Sequence, residues 1–167
     1  MSCAIALEAL LRAGVETVVA LPDSKLSPLC AHLMQSDQVT YIQATHEATA
    51  VGLAAGLTLC GAKSLVVMEH SGLRTACETL ARFNLSHGLH CCFLISHRGA
   101  FGERNWWGLG HHETMFPILR MLRMRWSHVR SVAELPSRLN DAYEMLAAGQ
   151  CSVVLIAESG LIEDLRR

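Results

Sequence analysis

Glu47 is the side chain most suited to chemistry in this sequence, because it stands at the predicted start of a helix in the stretch ATHEATAVGLAAGLTLCG (44–61). Thr45 is predicted as the N-cap, which puts His46 and Glu47 in the first turn, where free N–H groups and the helix dipole favour a carboxylate. Small residues at positions 48, 52, 55 and 56 leave one helix face nearly flat, so that a partner helix or a planar ligand can approach closely. A glutamate that merely starts a helix is the alternative.

Three further sets of polar residues are candidates for a site. Asp23 in LPDS is either a turn residue or an N-cap, and it can also serve as an acid. His111 and His112 carry imidazoles that titrate close to neutral pH, although a solvated pair at a helix start is the alternative. Ser71 and Gly72 in EHSGL either contact a ligand or form a simple glycine turn.

The elements that position these residues follow from the hydrophobic pattern, which alternates between helical and strand periods. Helices are predicted over 4–14, 26–34, 47–60, 74–83, 113–124 and 132–148. Strands are predicted over 16–22, 39–44, 64–70, 91–96 and 152–158, with an irregular segment from 97 to 110. Five or six strands alternate with helices, which indicates an α/β fold with an open, mostly parallel sheet, taken as six-stranded, and helices on both faces.

The predicted sheet gives the candidate residues a common location. In such sheets ligands bind beyond the carboxyl ends of the strands. The segments that follow four of the predicted strands are LPDS, THE, EHSGL and HRGAFGERNWWGLGHH (97–112). We therefore expect Asp23, Glu47, Ser71 and the long loop to meet at one edge.

Composition limits the class of protein. A chain of 167 residues fits one domain, predicted to span 1–167. Half of the residues are hydrophobic (51%) and only 17% are charged, which indicates an oligomer. The net charge of −1 argues against nucleic acid or a membrane as partner.

The seven cysteines include no C-x-x-C pair, and no targeting pattern opens the sequence, so a reducing, cytoplasmic location is expected. The stretch HGLHCC (87–92) is an unconvincing metal site, because Cys91 and Cys92 begin a strand and point to opposite faces. We predict no metal ligand within the chain.

Three segments, GVETVVALPDSKL, ATHEATAVGLAAGLTLCGAKSLVVM and EHSGL, resemble the pyrimidine-binding domain of thiamine-diphosphate enzymes. The resemblance is greatest to the separately encoded alpha subunit of sulfopyruvate decarboxylase and to the corresponding part of phosphonopyruvate decarboxylase. It extends from about Ala4 to Ala157 and implies the flavodoxin-like fold of these enzymes. By this resemblance Glu47 hydrogen-bonds the aminopyrimidine N1′ and activates the cofactor, while Pro22, Ser71 and Gly72 lie against it.

The resemblance also implies roles near the substrate, a 2-oxo acid that loses carbon dioxide. Asp23 would help to protonate the product, and His111 and His112 would assist in protonation and product release. Ser24 and Arg98 are predicted to hold the substrate. The guanidinium group of Arg98 or Arg104 fits a sulfonate or phosphonate, although an ordinary surface or loop arginine is the alternative for each. Trp106 and Trp107 could instead roof an apolar pocket, which would favour a less charged substrate. Glu69 and His70 replace the family's usual Gln-Asn.

The family's diphosphate-binding domain carries a Gly-Asp-Gly segment that this sequence lacks. The resemblance therefore implies a beta subunit that carries this domain and binds most of the Mg²⁺, together with a homo-contact between pyrimidine-binding domains. Two alternatives stay open. The chain could belong to a carboligating thiamine-diphosphate enzyme, or it could be a non-catalytic, flavodoxin-like interaction module.

Overall fold

The fold is a six-stranded sheet covered on both faces by helices. A computed structural model describes residues 1–149 and 151–167. The strands are β1 (Thr17–Ala20), β2 (Thr40–Gln43), β3 (Ser64–Glu69), β4 (Cys92–Ser96), β5 (Arg125–Val129) and β6 (Val153–Ala157). Their order is β2-β1-β3-β4-β6-β5, and every neighbouring pair is parallel. The predicted fold class is therefore confirmed.

Helices fill the connections between the strands, as parallel neighbours require. They are α1 (Ser2–Arg12), α2 (Ser27–Met34), α3 (Glu47–Leu59), α4 (Gly72–Thr75), α5 (Cys77–Leu80), α6 (Trp106–Met121), α7 (Leu135–Ala147) and α8 (Ser159–Leu165). A π-helix covers Ala81–Ser86 and a 3₁₀ turn covers Val132–Glu134. In the described part of the chain, none of these helices is both long and apolar enough to cross a bilayer.

The core has two layers because apolar side chains emerge from both faces of the sheet. On β3, Leu65 and Val67 pack into the layer formed with α1, α2, α7 and α8. Val66 and Met68 pack into the layer formed with α3 to α6. Cys92 and Cys91 likewise belong to opposite layers, as the alternation of a strand predicts.

The prediction for residues 97–124 was wrong in its boundaries. Helix α6 begins at Trp106 and not at Glu113, so the loop before it covers only 97–105. Gly108, whose residue type suggested a loop, is a helical residue at a close approach. A Cβ on Gly99 would lie 2.2 Å from the Gly108 carbonyl oxygen, so the loop and the helix meet backbone to backbone.

Four other element predictions need correction. The helix expected over 74–83 is divided into α4, α5 and the start of the π-helix. Strand β5 was not predicted, because it lies at the sheet edge and its RWSHV sequence is mostly half-exposed rather than apolar. Helix α8 was not predicted either. Finally, the N-cap of α3 is His46 and not Thr45, since the Nδ1 atom of His46 accepts the Ala48 N–H at 3.2 Å.

Candidate active site at the carboxyl edge of the sheet

The candidate site lies where the strand order reverses. From β1 the chain passes to β2 on one side of β1, whereas β3 lies on its other side. The segments after β1 and β3 therefore separate around a crevice at the carboxyl edge, the usual ligand position in such sheets. The start of α3 reaches the same place, because a Cβ on Gly72, after β3, would fall 2.7 Å from Cγ of Glu47.

Glu47 is the first residue of α3 and is half-buried. Neither of its carboxylate oxygens is hydrogen-bonded to any residue in 1–149 or 151–167. The first turn of a helix favours a negative charge electrostatically. The structure thus presents a half-buried carboxylate whose hydrogen-bonding capacity is free for a ligand.

Gly72 fits beside Glu47 because glycine has no Cβ. A Cβ at this position would meet both Cγ of Glu47 and Sδ of Met68 at 2.7 Å, closer than real contacts allow. Ser71, the preceding residue, donates its hydroxyl to Oε1 of Glu69 at 3.2 Å. Three residues predicted as cofactor-binding, Glu47, Ser71 and Gly72, are therefore neighbours at the crevice.

Asp23 is 5% exposed, and both of its oxygens accept backbone N–H groups. Oδ1 accepts from Lys25 at 3.2 Å and Oδ2 accepts from Leu26 at 3.1 Å, which holds the turn before α2. This is the turn role considered from the sequence. Pro22 and Ser24, on either side of Asp23, are exposed and line with it a cleft of about 440 Å³ that reaches Tyr41 on β2.

Arg98, which follows β4, links the segment after β1 to the last residue of β3. Its Nη2 donates to Oγ of Ser24 at 2.8 Å, and its Nε lies 3.4 Å from Oε2 of Glu69. The two residues predicted to hold a substrate thus contact each other, with Glu69 balancing the guanidinium charge. Lys25 makes a parallel link, donating from Nζ to the His97 carbonyl at 2.6 Å. Burial, followed by the charge of Arg98, lowers the pKa of Lys25.

His111 and His112 lie in the second turn of α6 and not at the end of a loop, so their predicted position was wrong. Both residues are half-buried. Nδ1 of His111 is hydrogen-bonded to the Arg74 guanidinium, whereas Nδ1 of His112 lies 3.0 Å from Nε2 of His97. Burial, and then Arg74, lower the pKa of His111. Consecutive histidines therefore have different partners.

His70 was noted in the sequence only as a departure from a family pattern, yet it is the most enclosed histidine of this edge. It is 1% exposed, and neither ring nitrogen has a hydrogen-bond partner among the described residues. Its ring packs edge-on against His111, with centroids 5.3 Å apart. Burial, assisted by His111 and His97, lowers the pKa of His70 to about 3.

Sequence reasoning missed four other polar residues of this edge: Lys25, His97, His128 and Glu158. Each follows or belongs to a strand at its carboxyl end, and that position was the signal that could have identified them. His128 was hidden by the missed strand β5. The Trp pair, in contrast, is exposed, so the described residues do not support an apolar roof over a pocket. Trp106 is 82% exposed and Trp107 43% exposed, and Arg104 is exposed too.

Comparison with known proteins identifies relatives of the chain. Residues 1–96 match the family described as "Thiamine pyrophosphate enzyme, N-terminal TPP binding domain", where TPP is thiamine diphosphate. Sulfopyruvate decarboxylase subunit alpha of Methanothermobacter thermautotrophicus is 26% identical over 129 residues, 77% of this chain and 78% of that protein. The same subunit of Methanococcus maripaludis is 27% identical over 97 residues, 58% of each chain.

Solved structures show the same fold at low sequence identity. Benzoylformate decarboxylase from Polynucleobacter necessarius superposes with a TM-score of 0.77 at 19% identity, over 98% of this chain and 30% of that one. A 4-hydroxybenzoylformate decarboxylase from Rhodococcus jostii gives 0.71 at 19% identity, over 99% and 31%. The chain thus spans about a third of these structures.

Proposed function

Because this chain belongs to the thiamine pyrophosphate enzyme family, as its N-terminal TPP-binding domain, we propose that it is the pyrimidine-binding subunit of a 2-oxo acid decarboxylase. The domain would extend over residues 1–167, and a beta subunit would supply the diphosphate-binding domain and most of the Mg²⁺ ligands. Sulfopyruvate, which the names of the relatives contain, would be the substrate, or else phosphonopyruvate or a similar 2-oxo acid.

One observation supports this proposal above the others: the unpaired, half-buried carboxylate of Glu47 beside Gly72. A carboxyl group can hydrogen-bond the ring nitrogen of an aminopyrimidine, and a residue without a Cβ leaves room for a planar ring. Glu47 would supply the carboxyl group, and Gly72 would leave the room. Pro22 and Ser71 would lie against the cofactor as well. Thiamine diphosphate, when bound, supplies the electron sink for the loss of carbon dioxide.

The chain's own residues would then position the substrate and handle protons. Glu47 would exchange a proton with the pyrimidine nitrogen. Ser24 and Arg98, which are already hydrogen-bonded to each other at 2.8 Å, would orient the substrate. Asp23 would act mainly by holding its loop in place, since backbone N–H groups occupy both of its oxygens. His111 or His112 would deliver a proton to the product.

Exposed apolar side chains support the presence of a partner chain. In the isolated chain, Phe101 and Trp106 stand in solvent next to the carboxyl-edge loops, and Leu109 is 57% exposed. Large apolar groups on a surface commonly mark an interface. Leu53 (39% exposed) and Leu59 (74% exposed) do the same on α3, which favours a homo-contact between pyrimidine-binding domains.

The test is a decarboxylation assay with purified components. The chain is mixed with a chain that carries a Gly-Asp-Gly diphosphate-binding domain, and carbon dioxide release from sulfopyruvate or phosphonopyruvate is followed with Mg²⁺ and the cofactor. Activity is expected only with both chains. Tight binding of cofactor and full turnover by this chain alone would contradict the proposal.

The Glu47→Gln variant of the same complex separates a catalytic from a non-catalytic role. We expect its rate to fall by roughly 10²-fold or more, the usual contribution of a positioned acid–base group. Glu78→Gln is the matched control, because Glu78 is a surface carboxylate paired with Arg82. If the Glu47→Gln complex were as active as the control, the result would favour the alternative that this chain is a non-catalytic interaction module.

A further inference from the structure

A hydrogen-bonded chain of side chains crosses the carboxyl edge of the sheet and ends at His112. His128 on β5 places Nδ1 at 2.6 Å from Oε1 of Glu158, which follows β6. The same oxygen lies 3.1 Å from Nδ1 of His97, which follows β4. Nε2 of His97 then lies 3.0 Å from Nδ1 of His112 on α6. We propose that Glu158 and His97 are positioning residues that fix the tautomer of His112.

The direction of these hydrogen bonds follows from Glu158. Burial alone would raise the pKa of Glu158, but the hydrogen bonds from His128 and His97 outweigh burial and leave that pKa below its usual value. Glu158 is therefore ionised at neutral pH, and an ionised carboxylate can only accept hydrogen bonds. Nδ1 of His128 and Nδ1 of His97 must both carry hydrogen.

The direction of the next hydrogen bond, between His97 and His112, follows from the protonation of His97. Burial lowers the pKa of His97, against the opposing effect of Glu158, so the ring is neutral at neutral pH. A neutral imidazole with hydrogen on Nδ1 has only a lone pair on Nε2. His97 therefore accepts, and Nδ1 of His112 donates. His112 is held in its Nδ1–H form, the opposite of the tautomer that free histidine prefers.

The side chains packed around these hydrogen-bonded residues protect the hydrogen bonds from water. The rings of His97 and His112 are stacked, with centroids 5.2 Å apart and planes at 28°. Phe116 packs edge-on against both, at 6.4 Å and 5.9 Å between centroids, and also contacts His128. His97 is 7% exposed. Water is thus kept from competing for these hydrogen bonds.

The consequence for chemistry rests on the proposed function. Nε2 of His112 makes no hydrogen bond within residues 1–149 and 151–167, so its lone pair is free to take a proton. When His112 is protonated, the proton binds at Nε2, and the hydrogens shared among His112, His97 and Glu158 stay where they are. The resulting imidazolium donates from Nδ1 to Nε2 of His97. The Glu158 carboxylate keeps the hydrogen of His97 on Nδ1, so that this Nε2 can accept. A carboxylate that orients a histidine for proton transfer acts in this way.

The test is ¹⁵N–¹H correlation NMR of the full chain labelled at its histidines, without cofactor, at neutral pH. The ring signals of His112 are assigned through correlations to its own backbone in the wild-type chain, and their loss in His112→Gln serves as a check. The spectrum is repeated at about pH 8.5, roughly two units above the ordinary imidazole pKa, so that the neutral ring is observed. The expected result is hydrogen on Nδ1 and a bare Nε2. A neutral ring with hydrogen on Nε2 and a bare Nδ1 would overturn the proposal, and the wild-type spectrum decides even if a variant fails to fold.

The Glu158→Leu variant tests the cause. Without the carboxylate, Nδ1 of His97 has no acceptor, so we expect His97 and His112 to change to their Nε2–H forms. Glu163→Leu is the matched control, since it removes an exposed carboxylate of α8 outside this chain of hydrogen bonds. A folded Glu158→Leu chain that keeps His112 in the Nδ1–H form would overturn the proposal. Because no cofactor or turnover enters the measurement, its failure is distinct from failure of the proposed function.

Discussion

Gly72 is the residue that constrains the position of Glu47 in the candidate site. Its backbone approaches Glu47 so closely that even a methyl group has no room. The sequence indicated a glycine turn or a ligand contact here, but it could not show that the glycine accommodates a side chain from another helix. The close approach holds the Glu47 stem in place while its carboxylate stays free.

A Gly72→Ala substitution tests this constraint. The added Cβ would lie 2.7 Å from Cγ of Glu47 and from Sδ of Met68, and such overpacking costs about 1–3 kcal/mol in the free energy of unfolding. Urea unfolding measures it. The control is Gly56→Ala on α3, where nothing lies within 4 Å of the new methyl group and a gain of about 0.5–1 kcal/mol is expected. Equal effects of the two substitutions would contradict the packing described here.

His70 should make the stability of the chain depend on pH. The unfolded ring takes up a proton near pH 6.5, whereas the folded ring does so only near pH 3. Between these values the unfolded chain binds the extra proton, so stability is complete above pH 6.5 and is lost as the pH falls. The free energy of unfolding should fall by up to about 1.4 kcal/mol per pH unit from this group.

The His70→Leu variant should have a shallower pH dependence of unfolding between pH 6.5 and 4, measured by urea titration at several pH values. Because neither ring nitrogen is hydrogen-bonded, leucine forfeits no hydrogen bond and should be tolerated near neutral pH. Exposed His87 provides the control substitution, His87→Leu. A His70→Leu slope equal to that of the parent chain would show that His70 is not buried as a neutral ring.

At the scale of elements, the loop from 97 to 105 depends on one carboxylate. Glu103 accepts the backbone N–H of Gly99 at 3.2 Å and those of Arg104 and Asn105 at 3.0 Å each. These bonds, that of Asn105 foremost, lower the pKa of Glu103. Its contribution to stability is therefore present above the unfolded pKa and is lost as acid protonates the folded carboxylate.

A Glu103→Ala substitution should loosen this loop without unfolding the sheet. We expect faster hydrogen exchange of the Gly99 and Asn105 amides, because both lose their acceptor, while amides of β3 and β4 keep their rates. Glu113→Ala, at an exposed position of α6, is the control. Unchanged exchange at Gly99 and Asn105 would mean that other contacts hold the loop.

The sequence predicted the strands that are buried on both faces but not the edge strand β5. The strands with continuous apolar runs, such as β3 and β4, were predicted because both faces are buried. The edge strand β5 has polar and half-exposed residues and gave no such signal. In α6, Gly108 suggested a loop, since a sequence does not reveal that a glycine is required by a close backbone contact.

Some residues of the candidate site could be predicted from the sequence and others could not. Glu47, Asp23 and Gly72 could be predicted because each directly follows or opens a regular element. The chain from His128 to His112 could not, since it joins residues from β5, β6, β4 and α6 that only the strand order brings together. Contacts between distant segments depend on topology, and the sequence specified the order of elements but not their neighbours.

At the scale of the whole molecule, the residues of the candidate site are gathered at one edge of the sheet. The free carboxylate of Glu47, the half-buried cations Lys25 and Arg98, and the linked histidines all lie near the carboxyl ends of the strands. The exposed aromatic residues Phe101 and Trp106 stand beside them. The proposed sharing of an active site with a second chain would place that chain at this edge.

The most direct test of the central claim, that the Glu47 carboxylate controls the proton chemistry of the bound cofactor, is the exchange of the cofactor's C2 proton for deuterium in the reconstituted complex. Quenched samples are analysed by proton NMR for the wild-type, Glu47→Gln and Glu78→Gln complexes. We predict exchange slower by roughly 10²-fold or more in Glu47→Gln and unchanged in Glu78→Gln. Equal exchange rates in all three complexes would contradict the account.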